Sequence, residues 1–326
     1  MSGKQLGPYT VDRLSNENAG YCMWGFGTRG GREYFIKQFL SPKFPYDDKE
    51  ASPERLQRKR QECRRFEEQK RAIYSVLNQY SDGNDVRVLD FFRCESRYYM
   101  CMEKVYDLHM TVEQIHGLPT VERLRLCASI AHAVAGLHRG GLVHADLKHD
   151  NILFTYTQGR RITAKVIDFD SSFLESDPPQ TGEDIIGDQL YFSPEARLSI
   201  EGEPVPLTCR MDVFALGVLF HQYLAGDLPI YDMEVYAYPA DAVLDGRQLE
   251  VAGQIPEEVA NILRSMLEAE AENRPTAWEV FLGLRRFLGQ PVTAYETASY
   301  PGESHRRETA PPEVPANPWS QAGDLL

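Results

Sequence analysis

Within His144-Ala145-Asp146-Leu147-Lys148-His149-Asp150-Asn151, a carboxylate, an ammonium and an amide stand a few residues apart, in a turn just ahead of a short apolar run. Farther along, Asp168-Phe169-Asp170 closes a second apolar run. Asp168 and Asn151 offer hard oxygen donors of the kind Mg²⁺ takes. Asp146 is then left to receive the proton of an acceptor hydroxyl, and Lys148 to neutralise a phosphoryl group in transit. Phosphoryl transfer needs little else, because its catalysis is mostly positioning and electrostatics. His144 could titrate in the neutral range, but Asp146 has the better claim to the proton, so His144 reads as structural. His132, His138 and His149 have no cysteine or acidic partner at metal-ligand spacing.

Positioning these groups falls to strands and helices on either side. Tyr21–Gly27 and Glu33–Phe39 flank Gly30-Gly31 and read as a hairpin. Gly25-Phe26-Gly27 belongs to that hairpin and not to a phosphate loop. Ser52-Pro53 is a helix start, with Ser as N-cap and Pro at the first helical position. Phe66, Ile73 and Leu77 recur at helical spacing until Ser81-Asp82-Gly83-Asn84 breaks the pattern. Val86–Phe92 and Arg97–Glu103 read as a further strand pair. From residue 106 the chain turns mainly helical. Val121–Leu137 carries an apolar stripe, and Ile152–Thr155 and Ala164–Ile167 are short strands. Asp212–Leu224 and Glu257–Leu267 are helices, the first apolar on most faces and so buried.

The chain has 326 residues, with 42% hydrophobic and 25% charged, the balance of a globular protein. No apolar run is long enough to span a bilayer, and the first fifteen residues hold no signal-peptide core. Six cysteines without a C-x-x-C pair point to reduced thiols and a cytoplasmic setting. A net charge of −13 argues against nucleic acid as a partner. Against that balance, Arg55–Arg71 holds eight Lys/Arg and three Glu. It reads as a solvated helix face, with a docking patch for an acidic partner as the alternative. Residues 290–326, with six prolines and no periodicity, read as a disordered tail and a second possible partner site.

The motif set resembles the protein-kinase family, serine/threonine (Hanks-type) branch. His144–Asn151 is similar to the catalytic loop H-R-D-L-K-x-x-N, and Asp168-Phe169-Asp170 to D-F-G. Tyr34-Phe35-Ile36-Lys37 resembles V-A-I-K, and Ser193-Pro194-Glu195 resembles A-P-E. Asp212–Gly217 resembles the helix whose Asp braces the catalytic loop, and Arg274 the arginine that pairs with the A-P-E glutamate. Met102–Val105 resembles the hinge that holds adenine. The likeness covers about residues 9–289. It implies an α+β, two-lobed kinase-like domain over 1–289. A small antiparallel-sheet N-lobe with one long helix (9–105) would precede a larger, mainly helical C-lobe (106–289). It implies ATP and Mg²⁺ as cofactors and a protein substrate accepting on Ser or Thr. Gly20 and Lys37 would hold phosphates, Glu103 and Val105 adenine, Asn151 and Asp168 the metal. Asp146 and Lys148 would be catalytic. Lys148 itself is typical of the serine/threonine branch.

The departures from the family pattern are as informative. Counting back from Lys37, the glycine-rich register falls on Ser15–Cys22, where Gly20 alone remains, although Asn16 and Asn18 tolerate positive φ. Glu67, Glu68 and Gln69 compete to face Lys37, with Glu68 preferred. Ala145 replaces an arginine that in the family holds an activation-loop phosphate, which implies activity independent of that modification. Asp170 replaces a glycine, and Asp188 stands where a threonine is usual and could take the Lys148 contact. Two other functions stay open: a nucleotide-binding pseudokinase that scaffolds partners, and a small-molecule phosphotransferase like the aminoglycoside and choline kinases.

Overall fold

The computed structural model describes residues 3–15, 22–45, 52–80, 83, 86–182 and 185–290. Gly20 and the stretch from 291 onward, where the glycine-rich register and nearly all of the expected tail fall, lie outside the described residues. The chain divides into two compact units. Among the described residues, one takes in positions within 3–60 and 90–101, the other positions within 61–89 and 102–290. The long basic helix is thus shared between them.

The first unit is built on a six-stranded sheet of β1 (Lys4–Leu6), β2 (Tyr9–Val11), β3 (Cys22–Arg29), β4 (Arg32–Phe39), β5 (Val88–Cys94) and β6 (Arg97–Glu103). The strand order is β1-β2-β3-β4-β6-β5. β3 and β4 pair antiparallel from Cys22↔Phe39 to Arg29↔Arg32. Gly30 (φ 58°) and Gly31 (φ 77°) make the two-residue turn between them. Both need the left-handed conformation that fits the right-handed twist of a tight hairpin, and that explains the Gly-Gly pair. β1 was not apparent in the sequence. It pairs with β2 through Lys4↔Val11 and Leu6↔Tyr9, and it sends Leu6 into the core. That core gathers Leu6, Tyr9, Val11, Ile36, Tyr99 and Cys101. Tyr9 stacks on Phe92 at 6.0 Å and meets Tyr34 edge-on at 5.3 Å. Burial pushes the Cys101 thiol up to about 12, so it stays protonated.

Helix α1 (Pro53–Tyr80) begins as expected: Ser52 Oγ accepts from the Arg55 N–H at 3.3 Å, and Pro53 opens the helix. Its buried stripe is Cys63, Lys70, Ile73, Tyr74 and Leu77. At its far end Asn78 clamps Val88 in both directions, Nδ2 donating to the carbonyl (2.7 Å) and Oδ1 accepting from the amide (3.0 Å).

The second unit is mainly helical: α2 (Val112–His116), α3 (Thr120–Arg139), α4 (Pro194–Ile200), α5 (Arg210–Ala225), α6 (Pro239–Leu244), α7 (Glu257–Met266) and α8 (Ala277–Phe287). Short ladders join β7 (Leu142–Val143) to β10 (Phe173–Leu174), and β8 (Ile152–Tyr156) to β9 (Ile162–Val166). α5 is buried on nearly every face, as its apolar run Val213–Phe220 requires. No described helix is long and apolar enough to cross a membrane.

One buried ion pair fastens this unit. Arg274, 1% exposed, places Nη1 and Nη2 each 2.8 Å from the two oxygens of Glu195 at the start of α4. Its remaining N–H groups reach the carbonyls of Glu268, Ala269 and Arg210. All five guanidinium donors are therefore satisfied, which makes a buried charge tolerable. Arg274→Leu should cost about 3–5 kcal/mol in urea unfolding. Replacing Glu195 by Met as well should not recover that loss, because three carbonyls would remain unpaired. A double variant as stable as wild type would show that the carbonyl bonds contribute little.

Candidate active site

The loop carrying Asp146 hangs from one carboxylate. Asp212, in the first turn of α5, is 1% exposed. Its Oδ2 accepts from the His144 backbone N–H and from His138 Nε2, each at 2.8 Å, and its Oδ1 accepts from the Ala145 N–H at 2.9 Å. These bonds hold Ala145 at φ 67°, a left-handed conformation costly for a residue with a Cβ. Burial alone would raise the Asp212 carboxyl. The His138 hydrogen bond and charge, with His144 and its amide, outweigh it and set the group below the usual carboxylate value.

His144 is structural, as read from the sequence. Its Nε2–H donates to the Ile167 carbonyl at 2.9 Å, and its Nδ1 accepts from the Asp146 N–H at 3.3 Å. Ser172 Oγ donates to the His144 carbonyl at 3.0 Å, and the Phe169 ring lies 5.1 Å from the imidazole. His138 does take an acidic partner, but as a brace on Asp212 and not as a metal ligand. His132 packs on Phe281 at 4.7 Å, and His149 Nδ1 lies 3.1 Å from the Tyr223 hydroxyl.

The next residues converge on Asp146. A 3₁₀ turn at His149–Asn151 swings Asn151 back, and its Nδ2 donates to the Asp146 carbonyl (2.7 Å) and to Oδ2 (2.9 Å). Lys148 Nζ sits 3.2 Å from the same Oδ2. The Asp188 backbone N–H donates to Oδ1 at 3.1 Å. The Asp188 side chain turns the other way: it caps the Gln189–Tyr191 turn by accepting from the Leu190 N–H at 3.1 Å. Lys148 therefore pairs with Asp146, and the contact the sequence offered to the Asp188 carboxylate goes to that cap. Beside Asp146 a small pocket is walled by Asp188, Tyr191 and Phe192 and floored by Met211 and Ala215. Burial pushes the Tyr191 phenol up to about 12, leaving it a donor to Gln222 Oε1 at 2.8 Å.

The donor set suits a hard divalent cation. Asn151 is 5% exposed and commits its amide nitrogen to Asp146, so its Oδ1 is available as an oxygen donor. Asp168 follows β9, at φ 64°, with its Oδ1 3.4 Å from the Asp170 N–H. One amide and one carboxylate oxygen, completed by phosphates and water, match how Mg²⁺ is usually bound.

The remaining expected site residues fall as follows. Lys37 is buried in β4, opposite Trp24 of β3. Glu103 ends β6 and is exposed, and Val105 follows in a half-buried loop. On α1, Glu68 and Gln69 are exposed, whereas Glu67 is half-buried beside the stripe. Burial along the helix thus sets Glu67 apart from Glu68 and Gln69. Sequence reading passed over Lys70, which lies on that stripe four residues after Phe66 and three before Ile73. A lysine in an otherwise core register was the signal available.

A depressed Asp212 carboxyl contributes stability above the unfolded value, near pH 4, and loses it as pH falls further. Asp212→Asn should therefore melt below wild type at neutral pH, with the gap narrowing below about pH 4. A gap unchanged by acid would contradict this origin of the stability.

Comparison with known proteins places the chain. The protein kinase domain matches residues 52–282. Serine/threonine-protein kinase PkaA of Streptomyces coelicolor is 26% identical over 264 residues, 75% of this chain and 45% of that protein. Serine/threonine-protein kinase Pkn1 of Myxococcus xanthus is 31% identical over 172 residues, 52% and 23% respectively. Serine/threonine-protein kinase PSK2 of Saccharomyces cerevisiae is 26% identical over 219 residues, 64% and 18%. The chain spans less than half the length of these relatives. These relatives from bacteria and yeast are alike serine/threonine kinases, and since the domain match takes in most of the chain, the chain belongs to the protein kinase family.

Proposed function

We propose that this chain transfers the γ-phosphoryl group of ATP to serine or threonine hydroxyls of proteins, and that it does so without phosphorylation of its own activation loop. The observation that carries the reading is the Asp146 carboxylate, held by Asn151, Lys148 and the Asp188 amide at the edge of a small pocket. Fixed by donors from three directions, it can orient an acceptor hydroxyl and take its proton without first reorganising. Lys148 offers its ammonium to the charge that builds on the transferred group. Asn151 and Asp168 would hold Mg²⁺, which when bound would supply positive charge to offset that of the phosphates. Lys37 would grip phosphates, and the backbone of Glu103 and Val105 would take adenine.

Independence from loop phosphorylation rests on Ala145. Its side chain is a methyl group that cannot pair with a phosphate, and its backbone is already fixed by Asp212. A protein acceptor is favoured over a small metabolite by α4, whose Glu195–Arg274 anchor makes a rigid platform next to the pocket. A cytoplasmic setting is in keeping with six scattered cysteines that include no C-x-x-C pair.

The direct test is transfer of labelled γ-phosphate from ATP-Mg to a basic model protein. Wild type should label Ser or Thr, and Asp146→Asn should lower kcat by about 10²–10⁴-fold while ATP affinity stays nearly constant. Equal labelling by both would remove Asp146 from the mechanism. ATP binding without transfer would favour a pseudokinase, and transfer only to metabolites a small-molecule kinase. Phosphatase-treated wild type should retain its full rate, and loss of that rate would refute the independence from loop phosphorylation.

A further inference from the structure

Lys70 lies where α1 should be apolar. It is 7% exposed, within a stripe whose other members are Cys63, Ile73, Tyr74 and Leu77. Burying an ammonium is expensive unless hydrogen bonds replace its lost water. Lys70 Nζ donates to the Asp170 carbonyl at 2.9 Å, across a hundred residues of sequence. Asp170 is the third residue of Asp168-Phe169-Asp170, and Asp168 stands at φ 64°.

The flanks of that segment are secured to the catalytic loop. His144 Nε2 holds the Ile167 carbonyl just before it, and Ser172 Oγ holds the His144 carbonyl just after. The Lys70 bond adds a tie from the helix. An aliphatic residue would fill the same stripe without the desolvation cost, but it could not donate to a carbonyl.

We propose that Lys70 is a positioning residue that pins the Asp170 carbonyl to α1 and so fixes the aim of the Asp168 carboxylate. The metal-binding turn is then locked to the helix by a permanent side-chain bond in place of a modification-dependent contact. Its kinetic consequence rests on the phosphoryl-transfer reading above; its structural consequence does not.

The test compares full-length wild type with Lys70→Met, which keeps the stem and removes the donor, and with Lys70→Arg. Hydrogen exchange at the amides of 168–172 should quicken about tenfold in Lys70→Met while α3 and α5 keep their protection. The half-saturating Mg²⁺ concentration for transfer should rise about tenfold, with KM for the acceptor protein unchanged. Lys70→Arg should recover part of both effects. Wild-type exchange at 168–172 in Lys70→Met would overturn the proposal, as would a rise shared equally with α3 and α5. If Lys70→Met does not fold, Lys70→Leu, which also lacks a donor, is judged by the same criterion. Because exchange needs no activity, a wild type that transfers no phosphate would refute the functional reading and leave this one decidable.

Discussion

The Asp212 carboxylate accepts three hydrogen bonds at a place solvent cannot reach, and the catalytic loop takes its shape from them. A buried carboxylate is tolerable only when its lone pairs are met by donors. Here the donors are two consecutive backbone amides and an imidazole from α3. Satisfying the charge therefore requires the backbone at 144–145 to turn toward α5, and that turn forces Ala145 to positive φ. Asp146 then emerges from the turn facing Asn151 and Lys148. The need to neutralise one carboxylate fixes the place of another.

The same end of α5 carries the second anchor. Arg210 gives its carbonyl to Arg274 and in return donates to the Arg274 carbonyl. Arg274 grips Glu195 and lies over the Phe214 ring at 5.2 Å. One helix terminus thus receives the catalytic loop through Asp212 and the platform helix α4 through Arg274. The apolar length behind it, from Val213 to Phe220, is packed on all sides and gives both anchors a rigid base.

Much of this was legible in the chain because it depended on local rules. Ser52-Pro53, Gly30-Gly31 and the α5 apolar run each specify their structure within a few residues. The grouping around Asp146 could be read because the chemistry demands those residue types close together in sequence. What escaped was settled by phase and by distant partners. The phase of α1 turned on which side of a 28-residue helix is buried, and Phe66, Ile73 and Leu77 alone leave room for more than one answer. Asp188 was read by residue type, whereas its backbone contacts Asp146 and its carboxylate serves a cap. Lys70 meets a partner no local pattern could name. The strand at Lys4–Leu6 is too short for alternation to reveal it.

That short strand bears on where the sheet can safely be cut. The family likeness begins near Tyr9, and the domain match at residue 52. Yet β1 is the outer member of the sheet, and β2 meets β3 through only Thr10↔Thr28 and Val11↔Gly27. A chain shortened to Tyr9 would lose Leu6 from the core and expose the outer hydrogen-bonding edge of β2. Such open edges invite pairing with other chains. A boundary drawn from resemblance would turn a covered edge into a seed for aggregation, through the loss of a few residues that touch no catalytic group.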